Sequence, residues 1–307
     1  MKYAIIADIH GNMPALKLVL EDARKQGADA FLFAGDYCVS APWFNEVITC
    51  LRTMPDARIV RGNEERYLHL PDGEDAQFAI SRWVGHSMSA EDIAWVDALP
   101  ERLDWECEGV ELHMTHNSNA FIGGAEMQTF GTGKMGLERY PGKITTEKLS
   151  ADMREVFDQS EDFHQHLSEL PAGIYVFGHT HCQWHAQFGD CLFINPGSCG
   201  MALDCCGFGA PYTLLTIQNG SYTVEERRVS YDVEELIEAV KQTEQYQVAR
   251  VWSEVIFTEW RACRERMLFF LPHVEAYAQK IGDLRRPFMP DTWEAGFEDW
   301  LVNGQKP

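Results

Sequence analysis

The chain has 307 residues, 45% hydrophobic and 12% aromatic, enough for a sizeable core and for one large domain with a smaller addition. Its 47 acidic residues outnumber 26 basic ones, for a formal net charge of −21. That surface repels nucleic-acid backbones and anionic membranes, which excludes both as partners, yet it admits a small phosphorylated substrate where metal ions supply local positive charge.

The first sixty residues alternate. AIIA (4–7) reads as a strand, 14–26 as a helix, AFLFAG (30–35) as a strand, 43–53 as a helix and ARIVRG (57–62) as a third strand. This rhythm predicts a parallel sheet with crossover helices, whose site lies at the carboxyl ends of the strands. Residues 74–99 read as helical. Short strands follow at 102–107, 109–116, 174–181, 183–188, 191–195, 212–217 and 221–229. Gly189-Asp190 and Asn219-Gly220 between the later ones are hairpin signals. Residues 231–243 read as a helix, and a long helical segment begins near 246. In it Trp252, Ile256, Trp260, Cys263, Met267 and Phe270 form an amphipathic stripe that Pro272 should kink or end. The stripe is expected to pack on the preceding domain and to border the site as a lid or pair two subunits into a homodimer. The last twenty-five residues carry weak periodicity and receive no assignment.

Nine cysteines lack any C-x-x-C pair, Met1-Lys2 leads straight into a strand, and no apolar run approaches the ~20 residues of a membrane span. The expectation is a cytoplasmic protein with reduced thiols.

Chemistry-bearing residues collect where strands end. The first strand delivers Asp8 and His10, two apart and so on one side of an extended chain. Later strand ends deliver Gly35-Asp36, Gly62-Asn63-Glu64, His116-Asn117 and Gly178-His179-Thr180-His181. Imidazole, carboxylate and one carboxamide oxygen suit Zn, Mn, Fe or related ions rather than calcium. Seven ligands exceed one tetrahedral ion and suit two ions ~3.5–4 Å apart with a shared carboxylate. The glycines before Asp36, Asn63 and His179 are expected to let the backbone turn sharply there. His113 reads as an ordinary in-strand histidine.

This ordered set, D-x-H, G-D, G-N-x-E, H-N and G-H-x-H, resembles the calcineurin-like metallophosphoesterases over residues 1 to about 240. NPGS (195–198) and SYDVEEL (230–236) look like a bacterial single-domain phosphodiesterase branch. The resemblance implies an α/β fold, a four-layer α/β/β/α sandwich of two mixed sheets over residues 1–243, with a helical C-terminal extension at 244–307. It implies that Asp8, His10 and His181 hold one ion, Asn63, His116 and His179 the other, and that Asp36 bridges them. The two ions would come from Mn, Fe, Zn, Co or Ni, with Mn and Fe favoured. The implied activity is hydrolysis of a phosphoester or phosphoanhydride by metal-activated hydroxide, with Asn63, His116 and Glu64 at the reacting centre. A nucleotide-type substrate such as a dinucleoside polyphosphate is the best guess. A serine/threonine-type protein phosphatase and a non-catalytic scaffold on the same fold are the alternatives. The family histidine after Asn63 is here Glu64, which leaves the leaving-group acid to be found. His69, His86 and His185 are the candidate stand-ins. Arg61 is either a phosphate ligand or a surface arginine. In place of the family H-G stands His116-Asn117, and asparagine tolerates left-handed backbone.

Overall fold

In the computed structural model, which describes residues 1–126 and 140–304, two five-stranded mixed sheets stack face to face. β1 (Lys2–Ile6), β2 (Ala30–Phe33) and β3 (Ala57–Ile59) run parallel, joined by α1 (Met13–Lys25) and α2 (Phe44–Thr53). The second sheet has β5 (Val110–Thr115), β6 (Gly173–Val176) and β8 (Cys191–Pro196) parallel at its centre. Its edges are β4 (Arg102–Cys107) and β7 (Gln183–Phe188), both antiparallel. β9 (Ala210–Gln218) and β10 (Ser221–Val229) complete the first sheet in the order β10-β9-β1-β2-β3. Both expected hairpins form, and Asn219 and Gly220 take the two positive φ angles their tight turn requires.

Strand alternation builds the layers. Tyr3, Ile5 and Ala7 face the other sheet, where they meet Leu112, Val176 and Ile194, while Ala4 and Ile6 point outward under the helices. On the far side Tyr175, Phe177 and Phe193 are covered by α6 (Thr146–Asp158) and α7 (Glu161–Glu169), which follow the short α5 (Asn119–Ile122).

Within the helical stretch expected at 74–99 the structure has two helices, α3 (Ala79–Ser87) and α4 (Ala90–Asp97). Ser89 separates them, its hydroxyl accepting the Asp92 N–H at 3.0 Å as a new N-cap. After α8 (Val233–Lys241) the C-terminal segment is α9 (Glu244–Val248), α10 (Arg250–Ala262), α11 (Met267–Ile281) and α12 (Pro290–Asp299). The break in the stripe lies at Cys263, which is left-handed, and not at Pro272, which sits inside α11. The one bond that the proline gives up would end on Leu268 in the first turn, an exposed residue whose carbonyl solvent can serve. The stripe is buried within the chain: Ile256, Trp260, Met267 and Phe270 are each at most 9% exposed, together with Trp293, Phe297 and Trp300 from the last helical turns. Among the described residues no helix is long and apolar enough to cross a membrane.

Candidate metal centre

The five strand ends named above meet at one edge of the paired sheets. Asp8, His10, Asp36, His179 and His181 all have positive φ, between 50° and 74°. Non-glycine residues in that region carry roughly 1–3 kcal/mol of strain each, and such strain collects where side chains must converge. The loops hold one another through backbone bonds: Asp8 N–H to Gly35 O at 2.9 Å, His10 N–H to Asp36 O at 3.1 Å and Gly178 N–H to His116 O at 2.9 Å. Asn117 does not use left-handed backbone; its Oδ1 instead accepts the Asn119 N–H at 2.8 Å.

The glycines serve partly for another reason than turning. Gly35 does have φ +95°, but Gly62 and Gly178 are needed for space. A Cβ on Gly62 would lie 2.1 Å from Asp36 Oδ1, and one on Gly178 would lie 2.5 Å from Asp8 Oδ2. Gly62→Ala should therefore displace the Asp36 carboxylate without removing any ligand. Turnover is expected to fall about 100-fold with the circular dichroism spectrum retained; unchanged turnover would show that Asp36 need not sit where it does.

The ligand atoms form two groups, Asp8 with His10 and His181, and Asp36 with His116 and His179. Asn63 Oδ1 lies 3.0 Å from His116 Nε2, and Asp36 Oδ2 lies 3.2 Å from the same nitrogen. Three rings are oriented from behind by carbonyls: His10 Nδ1 on Val39 O at 2.8 Å, His116 Nδ1 on Ala34 O at 2.7 Å and His181 Nδ1 on Met201 O at 2.9 Å. A carbonyl only accepts, so each Nδ1 carries the proton and each Nε2 is left as a ligand. His10 Nε2 and His181 Nε2 then face each other at 3.0 Å. Burial lowers the pKa of both, so two lone pairs meet with no proton between them. A cation resolves that contact, and the donor set fits one.

The electrostatics point the same way. Burial raises Asp8 well above its usual range. Burial and then the Asp36 charge push Glu64 to about 8 and Glu65 to about 7. Burial opposes protonation of His116, but the Asp36 carboxylate outweighs it and raises the imidazole to about 10. Burial and the charge of His116 lower His179 to about 4. A dication among these groups favours charged carboxylates and neutral imidazoles, relieving the conflict.

Several residues that brace the site are not singled out by sequence reasoning. Glu65, 1% exposed, accepts from Tyr37 N at 2.6 Å and Gly62 N at 2.8 Å, pinning the Asp36 loop to the Asn63 loop. Its signal is the acid that closes G-N-x-E. Glu126 is fully buried and accepts from Thr180 Oγ1, Trp184 Nε1 and Asn195 Nδ2 beneath the Gly178–His181 loop. Ser198, in NPGS, donates to Asp8 O at 2.7 Å.

Two depressions flank the centre. One, a cavity of about 290 Å³, runs from His10, Asn63 and Glu64 to Trp252, Ile256 and Glu259 of α10, so the C-terminal segment does border the site. The other, beyond Asn63 and His116, is lined by Arg61, Arg66, Arg102 and His69. Arg61 is held by Glu101 at 2.7 Å, whereas Arg66 has no carboxylate partner among the described residues and bonds only Tyr67 Oη. Of the candidate stand-ins, His69 borders this groove with Nε2 on Asp97. His86 pairs with Asp72 and His185 with Glu226, outside both depressions. His113 bonds Asp104 within the sheet, as an in-strand histidine should.

A family profile described as the calcineurin-like phosphoesterase superfamily domain matches residues 1–220. Two solved structures share the fold. One is a metallophosphoesterase from Sphaerobacter thermophilus, 18% identical, with a TM-score of 0.57, covering 86% of this chain and 100% of that one. The other is a hypothetical protein from Pyrococcus horikoshii OT3, 17% identical, with a TM-score of 0.55, covering 83% and 97%. Among curated proteins none matches at a significant level.

Proposed function

The chain belongs to the calcineurin-like phosphoesterase superfamily, whose profile spans residues 1–220, and from that premise we propose that it is a phosphoester hydrolase working with two bound metal ions. The observation that carries the reading is the pair of donor groups at one sheet edge, with the 3.0 Å contact of two histidine lone pairs inside the first. Asp8, His10 and His181 would hold one ion, and Asn63, His116 and His179 the other. Asp36 would be shared, since its charge acts on histidines of both groups. Mn and Fe suit the mixed nitrogen and oxygen donors, with Zn, Co and Ni as further candidates. When bound, such ions supply Lewis acidity toward a phosphoryl oxygen and acidify water toward a pKa of ~7.

The rest falls to the chain itself. The carbonyls of Ala34, Val39 and Met201 fix the imidazole tautomers, and His179 N–H holds both oxygens of Asp8 at 3.0–3.1 Å. Arg66, without a carboxylate partner among the described residues and beside Asn63 and His116, is our candidate for a phosphate oxygen in place of Arg61. The cavity's wall of C-terminal helices favours a small substrate over a protein chain. A scaffold on this fold has no need of such a donor set. Nine cysteines without a disulfide accord with a cytoplasmic setting.

Glu64 narrows the substrate. It lines the cavity beside Asn63, with its own N–H bound to Asp36 Oδ1 at 2.9 Å, where the family has a histidine. Protonating a leaving group matters most when that group departs as a basic alkoxide. With the ions bound, their charge would counter the burial that raises Glu64 and keep it an ionised carboxylate with no proton to give, so the site should favour phosphoanhydrides, and a dinucleoside polyphosphate is the class we propose. The test is turnover of a panel of phosphorylated metabolites with manganese, in the unmodified protein and in Glu64→His. We expect the unmodified protein to prefer diadenosine tetraphosphate to an alkyl phosphodiester. The histidine should raise alkyl-ester turnover about 100-fold and barely change anhydride cleavage. An unmodified protein that prefers the alkyl ester would overturn the substrate class.

A further inference from the structure

The turn after Asp36 holds His10 from three sides. His10 N–H bonds Asp36 O at 3.1 Å, Ala41 N–H bonds His10 O at 2.8 Å, and Val39 O accepts His10 Nδ1–H at 2.8 Å. The fit leaves no slack, since a Cβ on the neighbouring Gly11 would lie 2.1 Å from Ala41 O. Between Val39 and Ala41 stands the buried Ser40, with φ +114°. A non-glycine residue at that angle is strained, and it stays there only where its surroundings enforce it. Here the enforcing group comes from 205 positions away. Gln245, fully buried in α9, donates Nε2–H to Ser40 O at 2.8 Å. Its Oε1 is buried as well and has no hydrogen-bond partner among the described residues. A buried amide with an orphaned oxygen lowers stability, whereas an apolar side chain of the same length would not. The fold thus keeps an unfavourable group at the position whose side-chain hydrogen bond ends on the turn around His10.

The geometry points to Gln245 as a positioning residue for the ion of the first group: it pins the strained Ser40 turn and so keeps His10 Nε2 aligned with Asp8 and His181. The inference rests on the two-ion reading above and extends the metal centre to a residue beyond the matched span of 1–220. The two peptide units that flank Ser40 carry both contacts of the turn's far side with His10. The first holds the Val39 carbonyl, which fixes the imidazole tautomer and ring orientation. The second is clamped at both ends, its C=O by Gln245 and its N–H by His10 O. Without the Gln245 bond Ser40 relaxes toward negative φ, and both units rotate with it. The Val39 carbonyl then leaves His10 Nδ1. His116 is oriented by Ala34 O instead, so the second group is spared.

The test is calorimetric titration of the full chain with manganese, together with thermal unfolding of each variant. We expect two binding events in the unmodified protein, one of which His10→Ala abolishes. Gln245→Met keeps the side-chain length and removes both the donor and the orphaned oxygen. It should weaken that same event about tenfold, leave the other unchanged and keep the melting temperature. Ser40→Gly alone should alter neither event, because glycine adopts φ +114° without strain. Combined with Gln245→Met it should restore the weakened event, which no role of Gln245 in packing alone would produce. Two events that Gln245→Met leaves as they were would overturn the positioning role and leave the two-ion reading standing. An equal loss in both events would overturn it too, as would a loss that Ser40→Gly does not restore. An unmodified protein that takes up no ion sinks the two-ion reading and this inference with it.

Discussion

Asp36→Asn is expected to lose bound metal and to lower turnover by at least about a thousandfold. Asp36 is 2% exposed, and burial opposes its charge, yet the His116 charge and hydrogen bond hold its carboxyl below the usual range. It lies 3.2 Å from His116 Nε2, and its field reaches His10, His179 and His181 as well. No other carboxylate among the described residues belongs to the second ligand group. An amide there keeps an oxygen for the Glu64 N–H, so the loop should survive, but it brings no negative charge to balance two cations. Elemental analysis and turnover measured on one preparation decide the matter. A variant that is fully active and free of metal would end the di-metal reading.

Trp260→Ala should cost about 3–5 kcal/mol and lower the melting temperature by roughly 6–10 °C. Trp260 is 3% exposed among Ile256, Phe257 and Val240, and its Nε1 donates to Gly200 O at 3.0 Å. Asn12 Nδ2 donates to the same carbonyl, and Gly200 N–H in turn holds Asp8 O at 3.0 Å. The C-terminal helices are thus tied to the loop that carries a metal-ligand candidate, so metal affinity should fall along with stability. Trp260→Phe, which keeps most of the packing and loses one hydrogen bond, should cost only about 1 kcal/mol. Differential scanning calorimetry and metal titration on both variants test this. An alanine variant with an unchanged melting temperature would mean that the helical segment contributes nothing to the catalytic unit.

Much of the site is legible in the sequence because its signals are local. A run such as Ala4–Ala7 buried on both faces has to be a central strand, and the polar residues that follow it have to lie at its end. Five such ends, read in order, are enough to nominate Asp8, His10, Asp36, Asn63, His116, His179 and His181. The hairpins were legible for the same reason, since Asn219-Gly220 encodes its own turn. Even α12 had a signal that weak overall periodicity hid, with Trp293, Phe297 and Trp300 at i, i+4 and i+7.

What only the tertiary structure decided depends on atoms distant along the chain. Sequence suggested that Gly62 permits a turn, but its actual service is to make room for Asp36, a residue twenty-six positions earlier. Pro272 carried a local prohibition that the fold could override, because the lost bond falls at an exposed first turn. Arg61 and Arg66 are indistinguishable as letters, and only the placement of Glu101 gives one a carboxylate, while the other bonds Tyr67 and has no carboxylate partner among the described residues. The C-terminal stripe showed one apolar face by its spacing. That Trp252 and Glu259 on that face line the cavity beside the candidate metal centre follows from which surface α10 packs against, and amphipathic periodicity carries no information about that choice.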